Sequence, residues 1–225
     1  MRRVGVFGGT FDPVHLGHLV PAVRARETFR LDALFFVPAA RPPHKQGESL
    51  TPFSHRFAML ALATHPYERF FVSDLELEGD RPAYTVETLR RFRQRCPAEQ
   101  LYFLMGSDSF SQISTWHRWE ELVDLVHLIV LHRATAWGER LLERVPPSLH
   151  ARLRTVEPFA EVPDPPDQQR LVYLLDHEPF PVSATHLRER LRQGRTIGEL
   201  VPPEVHRYIL KYKLYYGGKG RERAS

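Results

Sequence analysis

Short apolar runs alternate with longer amphipathic stretches over the first 130 or so residues, and this alternation limits the fold more than any other feature of the chain. Val4–Phe7 predicts a first strand. Leu16–Phe29 predicts a helix, with Leu16, Leu19, Val20 and Val23 on its inner face. A second strand is expected at Leu34–Val37, stopped by Pro38. Phe53–Thr64 reads as a helix with Thr51 as its cap and Pro52 at its first position. A short strand at Phe70–Val72, a helix at Val86–Gln94 stopped by Pro97, and a strand at Leu101–Met105 ending at Gly106 follow. Trp119–Leu125 and His127–Leu131 add a short helix and another strand. Strand and helix in this order argue for an α/β fold built on a parallel sheet with right-handed crossovers. Beyond residue 132 the pattern weakens, and Pro146, Pro147, Pro158, Pro163, Pro165 and Pro166 mark turns and extended segments. Leu171–Leu175 is a late strand, and Ala184–Arg192 and Glu204–Tyr212 are helices. No repeat is visible, so one domain is expected over residues 1–216. Its C-terminal helical part is small, at about 184–213. The tail at 217–225, opening Gly217-Gly218-Lys219-Gly220-Arg221, reads as flexible.

Composition bounds the function without choosing it. The chain has 225 residues, 42% hydrophobic and 26% charged, enough for a core of ordinary size. A net charge of +4 suits small anions as well as nucleic acid. The basic tail Lys219–Arg223 is short and glycine-rich and reads as a solvated terminus, so no nucleic-acid partner is expected. No apolar run is long enough for a membrane span, and Met1-Arg2-Arg3 leads into a strand rather than a signal sequence. With Cys96 as the single cysteine, no internal disulfide can form and a cysteine zinc cage is excluded. A cytoplasmic protein without a membrane partner is the simplest expectation. A homo-oligomer is left open.

The chemistry concentrates in Gly8-Gly9-Thr10-Phe11-Asp12-Pro13-Val14-His15-Leu16-Gly17-His18. Two glycines between a strand and a helix let the backbone approach a ligand closely. His15 and His18, three residues apart at a helix start, share one face. Helix-terminal N–H groups and the helix dipole attract anions there. The element reads as a nucleotide phosphate site. Two blander readings stand beside it: a core histidine next to a helix cap, and a metal site with Asp12 as third ligand. Pro13 and the glycines suit a phosphate loop better than a zinc site, and no protein-held metal is expected.

This string resembles the G-x-F-D-P-x-H-x-G-H signature of the nucleotidyltransferase superfamily with a HIGH-type motif. More closely, the chain is similar to the bacterial nicotinate-nucleotide adenylyltransferase family, in patches from Val4 to about Tyr212. Pro42-Pro43-His44-Lys45 resembles a family loop whose basic residue reaches the triphosphate; alone it would read as an exposed turn. Asp74-Leu75-Glu76-Leu77 followed by Tyr84-Thr85-Val86-Glu87-Thr88-Leu89 resembles the acceptor-side element, and alone would be strand, loop and helix with Thr85 as N-cap. Gly106-Ser107-Asp108 at a strand end, with Trp116 beyond, matches a further patch, and strand carboxyl ends are where open α/β sheets bind ligands. Ser183-Ala184-Thr185-His186-Leu187-Arg188 resembles the S-S-T-x-x-R element, with Ala184 in place of the middle serine. Leu200-Val201-Pro202 and Val205 to Ile209 resemble structural positions. In Glu78-Gly79-Asp80-Arg81-Pro82-Ala83 the chain departs from the family: Gly79 replaces an arginine, Arg81 a glycine and Ala83 a serine.

The resemblance implies a Rossmann-like nucleotidyltransferase fold with helices on both faces of the sheet. It implies transfer of an adenylyl group from ATP to nicotinate mononucleotide, giving deamido-NAD and pyrophosphate. Another acceptor within the superfamily (nicotinamide mononucleotide or pantetheine phosphate) and a non-catalytic nucleotide-binding regulator are the rivals. The catalytic group implied is His15, His18, Lys45 and Arg188. ATP would be held by Gly8, Gly9, Thr10, Phe11, His15, His18, Gly106, Asp108, Ser183, Thr185 and Arg188. The acceptor would be held by Tyr84, Thr85 and Trp116. The chemistry agrees with that grouping. In-line attack on the α-phosphorus by the acceptor's own phosphate needs positioning and charge stabilisation rather than a protein nucleophile. Arg188 can hold a phosphate in a bidentate fork, and Mg²⁺ would arrive with ATP, bound mostly by phosphate oxygens and water. His18 could act as an imidazolium or as a neutral donor. An indole face at Trp116 suits a flat heteroaromatic ring, and backbone donors near Tyr84 and Thr85 suit a carboxylate better than an amide.

Overall fold

The computed structural model describes residues 1–42, 50–77, 84–97, 99–133, 143–165, 169–177 and 180–216. Its centre is a parallel sheet of seven strands among these residues: β1 (Arg3–Gly9), β2 (Ala33–Pro38), β3 (Phe70–Val72), β4 (Gln100–Gly106), β5 (His127–Arg133), β6 (Leu153–Val156) and β7 (Val172–His177). They lie in the order β3-β2-β1-β4-β5-β7-β6. Strands buried on both faces need apolar side chains at successive positions, and β1 and β4 have them. Along both strands alternate residues leave by opposite faces. Val4, Val6, Leu101, Phe103 and Met105 enter one core, with Val86, Leu89 and Phe92 of α3 (Thr85–Arg95) and Leu122 and Val123 of α5 (Trp119–Leu125). Phe7, Tyr102 and Leu104 enter the other, with residues of α1 (Leu16–Thr28), α2 (Phe53–Thr64), α6 (Ala184–Arg192) and α7 (Pro203–Lys211). Helices therefore cover both faces, as in a Rossmann-like fold. Among the described residues no helix is long and apolar enough to cross a membrane.

The chain runs outward from β1 to β2 and β3, then returns to lay β4 on the other side of β1, with Phe7 opposite Leu104. The connections after β1 and β4 depart in opposite directions, which opens a crevice at the carboxyl ends of those two strands. Gly8-Gly9 stands on one side. Gly106 and the one-turn helix α4 (Ser107–Phe110) stand on the other.

Several local expectations are corrected. Pro52 itself is the N-cap of α2, with φ −47° and ψ 143°, while Thr51 lends its backbone to Asp12 and Arg56. Thr85 is the first helical residue of α3 and Tyr84 its N-cap. The buried stripe of α1 runs through Leu19, Ala22 and Ala25 to Phe29, and its small residues admit the helix close to the sheet; Leu16 and Val23 pack only at the margin of that core. β6 carries no apolar run, because only Val156 of its four residues is buried. The helix predicted at Glu204–Tyr212 begins one residue earlier, with Pro203 in its first turn. The tail at 217–225 lies outside the described residues.

Candidate active site

The turn from β1 into α1 carries the two histidines. His15 is the N-cap of α1, in extended backbone, and its side chain is almost fully buried. The His18 amide donates to the His15 carbonyl at 2.8 Å, and the His15 amide donates back to His18 Nδ1 at 3.3 Å. The rings stack with centroids 3.8 Å apart. Since Nδ1 of His18 accepts a backbone N–H, the proton of the neutral ring sits on Nε2. Phe11 and Phe7 present edges to the same ring at 5.0 and 6.2 Å. Burial in this setting, and then the adjacent His15, hold the His18 pKa well below the ordinary imidazole value. Of the two forms open from the sequence, His18 of the free protein is the neutral donor. Gly17 is required by packing: a Cβ there would lie 2.8 Å from Val182 Cγ1 and 3.0 Å from the His15 ring.

Arg188 reaches this turn from the second turn of α6. One guanidinium nitrogen donates to the Asp12 carbonyl at 2.8 Å, the other to the Thr185 hydroxyl at 3.3 Å. Ser183 is the N-cap of α6, its hydroxyl accepting the His186 amide at 3.2 Å. These groups line a cleft of about 370 Å³ between β1, β4, α1 and α6. Of the residues assigned to ATP from sequence, Gly8, Gly9, Thr10, Phe11, His15, His18, Gly106, Asp108, Ser183 and Arg188 line it. Thr185 is exposed and does not; it braces Arg188. Lys45, with Pro43 and His44, lies outside the described residues.

A second cleft, of about 530 Å³, opens on the other side of the crevice. Tyr84, Thr85 and Trp116 line it together, with His117, Glu76 and Thr88. Trp116 rests edge-on against Phe103 with centroids 6.4 Å apart, and the Tyr84 and His117 rings lie 4.3 Å apart. The two clefts share Gly8, Gly9, Thr10 and Ser109. The segment Glu78–Ala83, where the chain departs from the family pattern, lies outside the described residues.

The family model for cytidylyltransferase-like proteins matches residues 6–190. A probable nicotinate-nucleotide adenylyltransferase of Pseudomonas aeruginosa is 41% identical over 217 residues, which cover 95% of this chain and 97% of the relative. One of Geobacter sulfurreducens is 38% identical over 222 residues, covering 95% and 98%. The chain belongs to the nicotinate-nucleotide adenylyltransferase family. A solved structure, Plasmodium falciparum nicotinic acid mononucleotide adenylyltransferase complexed with NaAD, superimposes with a TM-score of 0.72 at 21% identity, covering 96% of this chain and 98% of that one; it supports the fold.

Membership in the nicotinate-nucleotide adenylyltransferase family does not itself reveal what holds the clefts in shape. Arg56, 1% exposed, donates to the carbonyls of Thr51, Thr10 and Ala39 at 2.8–2.9 Å, stitching the turns after β1 and β2 to the start of α2. Glu76 accepts the Ala40 amide at 3.2 Å and the Thr88 hydroxyl at 2.9 Å. Burial pushes its carboxyl up to about 7, against the pull of Thr88, Ala40, Arg56 and Arg91. Asp12, 2% exposed, accepts the Thr51 amide and the Tyr215 hydroxyl. Sequence reasoning missed all three roles. Asp12 and Glu76 stood inside quoted motifs; Arg56 carried no signal beyond a charge on an otherwise apolar helix.

Among the described residues no group of three or more His, Cys, Asp or Glu side chains is arranged to hold a metal ion. Both Asp12 carboxyl oxygens are engaged, and Asp108 is the other carboxyl that lines the smaller cleft. An oxygen donor of that kind would suit a divalent ion that arrives with a nucleotide.

Proposed function

We propose that this chain transfers the adenylyl group of ATP to nicotinate mononucleotide, giving nicotinate adenine dinucleotide and pyrophosphate on the route to NAD. The observation that carries the reading is the wall shared by the two clefts. Gly8, Gly9, Thr10 and Ser109 separate a histidine–arginine cleft suited to a triphosphate from an aromatic cleft suited to a flat ring. An α-phosphorus held at that wall would be within reach of a phosphate entering from the other side. The acceptor's phosphate oxygen forms the new P–O bond as the bond to the bridging oxygen breaks, and pyrophosphate leaves with that electron pair. No protein nucleophile is needed, and Cys96, at the end of α3, lines neither cleft.

His15 and His18 would act from the start of α1, where the helix dipole adds to their donors. Nε2–H of His18 is the donor free of the turn, and Arg188, already fixed to the Asp12 carbonyl, would grip phosphate oxygens through its remaining N–H groups. Lys45 is proposed to complete this side. Gly106, Asp108 and Ser183 would bound the nucleotide, with Thr185 holding Arg188. Mg²⁺ bound to ATP would neutralise charge on the departing pyrophosphate. Trp116 would lie against the pyridine ring, and the N–H groups opening α3 at Tyr84 and Thr85 would take its carboxylate; N–H groups in the first turn of a helix lack intrahelical partners. Residues as far apart as Phe7 and Arg188 contribute, which supports treating 1–216 as one functional unit. A cytoplasmic location accompanies this reading, on the single cysteine.

ATP labelled at its α-phosphorus tests the reaction. The label should move into a dinucleotide when nicotinate mononucleotide is present, with one pyrophosphate released for each transfer. Label found only in AMP or ADP would refute the reading.

A further inference from the structure

Tyr215 stands 203 residues from Asp12 along the chain, yet its hydroxyl donates to Asp12 Oδ1 at 2.6 Å. The other oxygen of the same carboxyl accepts the Thr51 amide at 3.2 Å, and the Asp12 backbone carbonyl accepts Arg188 at 2.8 Å. Thr51 passes the connection on, its carbonyl accepting Arg56 at 2.9 Å. Asp12 is therefore a junction where four segments meet beside the smaller cleft: the turn after β1, the approach to α2, the start of α6 and the end of the described chain.

The C-terminal turn is built to reach this junction. The Leu214 amide donates to the Ile209 carbonyl at 3.1 Å and closes α7. Lys213 and Tyr215 then take the left-handed region, with φ of 49° and 70°. Residues with a Cβ adopt that backbone only where the surroundings over-determine it. Here the surroundings are the sheet core, against which Leu214 and Tyr215 pack, and the Asp12 carboxyl. His55 of α2 and Tyr208 of α7, joined at 2.8 Å, hold α7 in place. Burial, and then Asp12, push the Tyr215 phenol well above its ordinary value against the opposing pull of Thr51 and Arg188, so the hydroxyl remains a donor throughout the working range.

We propose that Tyr215 is a positioning residue of the nucleotide site: through the Asp12 carboxyl, the C-terminal turn fixes Asp12 and, by its backbone carbonyl, Arg188 in the geometry that receives the triphosphate. It touches no substrate. Its action is to keep the Asp12 carboxyl from rotating and so to hold the turn whose Asp12 carbonyl anchors Arg188 of α6. The inference rests on the smaller cleft binding ATP, and is independent of which acceptor fills the larger one.

The test compares Tyr215→Phe, Asp12→Asn and the double variant in the full chain, reading ATP affinity by calorimetry with Mg²⁺ present, the KM of each substrate, and the melting temperature. Tyr215→Phe removes one hydroxyl and keeps the ring that packs on the core. ATP binding should weaken by a few-fold and by no more than roughly ten-fold, because the bond lost lies within the protein and only the part of its free energy that orients Arg188 reaches ATP, with the acceptor KM within about two-fold of wild type. The double variant should lose no more than Asp12→Asn alone: the Thr51 amide can only donate, so the asparagine oxygen stays with it, and the nitrogen left facing Tyr215 cannot accept the hydroxyl. Unchanged ATP affinity in folded Tyr215→Phe would overturn the proposal, as would an equal rise in both KM values or additive losses in the double variant. If Tyr215→Phe does not fold, Asp12→Asn, which takes away the charged acceptor of the Tyr215 hydroxyl, is read by the same criteria. Wild-type protein that binds ATP without transferring to nicotinate mononucleotide would sink the acceptor assignment and leave this test intact.

Discussion

At the scale of single side chains, His18 is held from both sides. Its Nδ1 takes the His15 amide, and burial keeps the ring neutral, so Nε2–H is the one donor it offers the cleft. His18→Ala should therefore lower kcat with ATP by about a hundredfold, in the range for a single positioned donor or acid. The melting temperature should fall by only a few degrees, for the loss of one capping contact. An active, well-folded variant in steady-state assays would remove His18 from the mechanism. Glu76 supplies the matching test on the acceptor side. Its carboxyl titrates at about 7 in the fold, above the ordinary 4.5, because burial disfavours the charge. A group with a raised folded value adds stability below its unfolded value, and that stability is lost as pH rises through 7. Between pH 6 and 8 the larger cleft also gains a negative charge. The KM for an anionic acceptor should rise over that interval, while Glu76→Gln should show a flat KM and a higher melting temperature than wild type at pH 8. Parallel profiles for the two proteins would contradict the assignment. Residue types were legible in the sequence wherever a motif named them, as for His15, His18 and Arg188. Partners were not: the bonds from Arg56 to three carbonyls join positions up to 46 residues apart, and no local pattern encodes them.

At the scale of elements, the chain could be read where burial imposes a period. β1, α5 and α6 stand where the apolar spacing put them, since each presents a continuous apolar strip to a core. β6 could not be read, because an edge strand with one buried residue imposes no pattern. Caps divided in the same way. Ser183 caps α6 through its side chain, as its residue type suggests, whereas α2 is capped by Pro52 and α3 by Tyr84 without a side-chain bond. Ser183→Ala should cost about 1 kcal/mol, a shift of roughly 2–4 °C in melting temperature for a chain of this size. Because α6 carries Arg188, the KM for ATP should rise with it. A melting shift without any change in ATP KM would show that the first turn of α6 is not what places Arg188.

At the scale of the whole molecule, the reversal of strand order at β1 and β4 does what no single motif could. It brings Gly8–His18, Gly106–Asp108 and Ser183–Arg188 around one cleft, and Tyr84, Thr85 and Trp116 around its neighbour. The sequence motifs named most of these residues and even their grouping. The wall the two clefts share was not legible, because it depends on how closely β1 and α4 approach in space. Nor was the closing contact from Tyr215, whose partner lies at the opposite end of the chain. The proposed function requires the larger cleft to select a pyridine mononucleotide bearing a carboxylate and to present its phosphate to ATP across that wall. Steady-state pyrophosphate release with ATP and Mg²⁺, run side by side on nicotinate and nicotinamide mononucleotide, tests it most directly. Pyrophosphate should be released with a kcat/KM at least about ten-fold higher for the acid, the ratio that one well-placed charge-assisted contact supports; equal values for acid and amide, or no pyrophosphate release from folded protein, would overturn the proposed function.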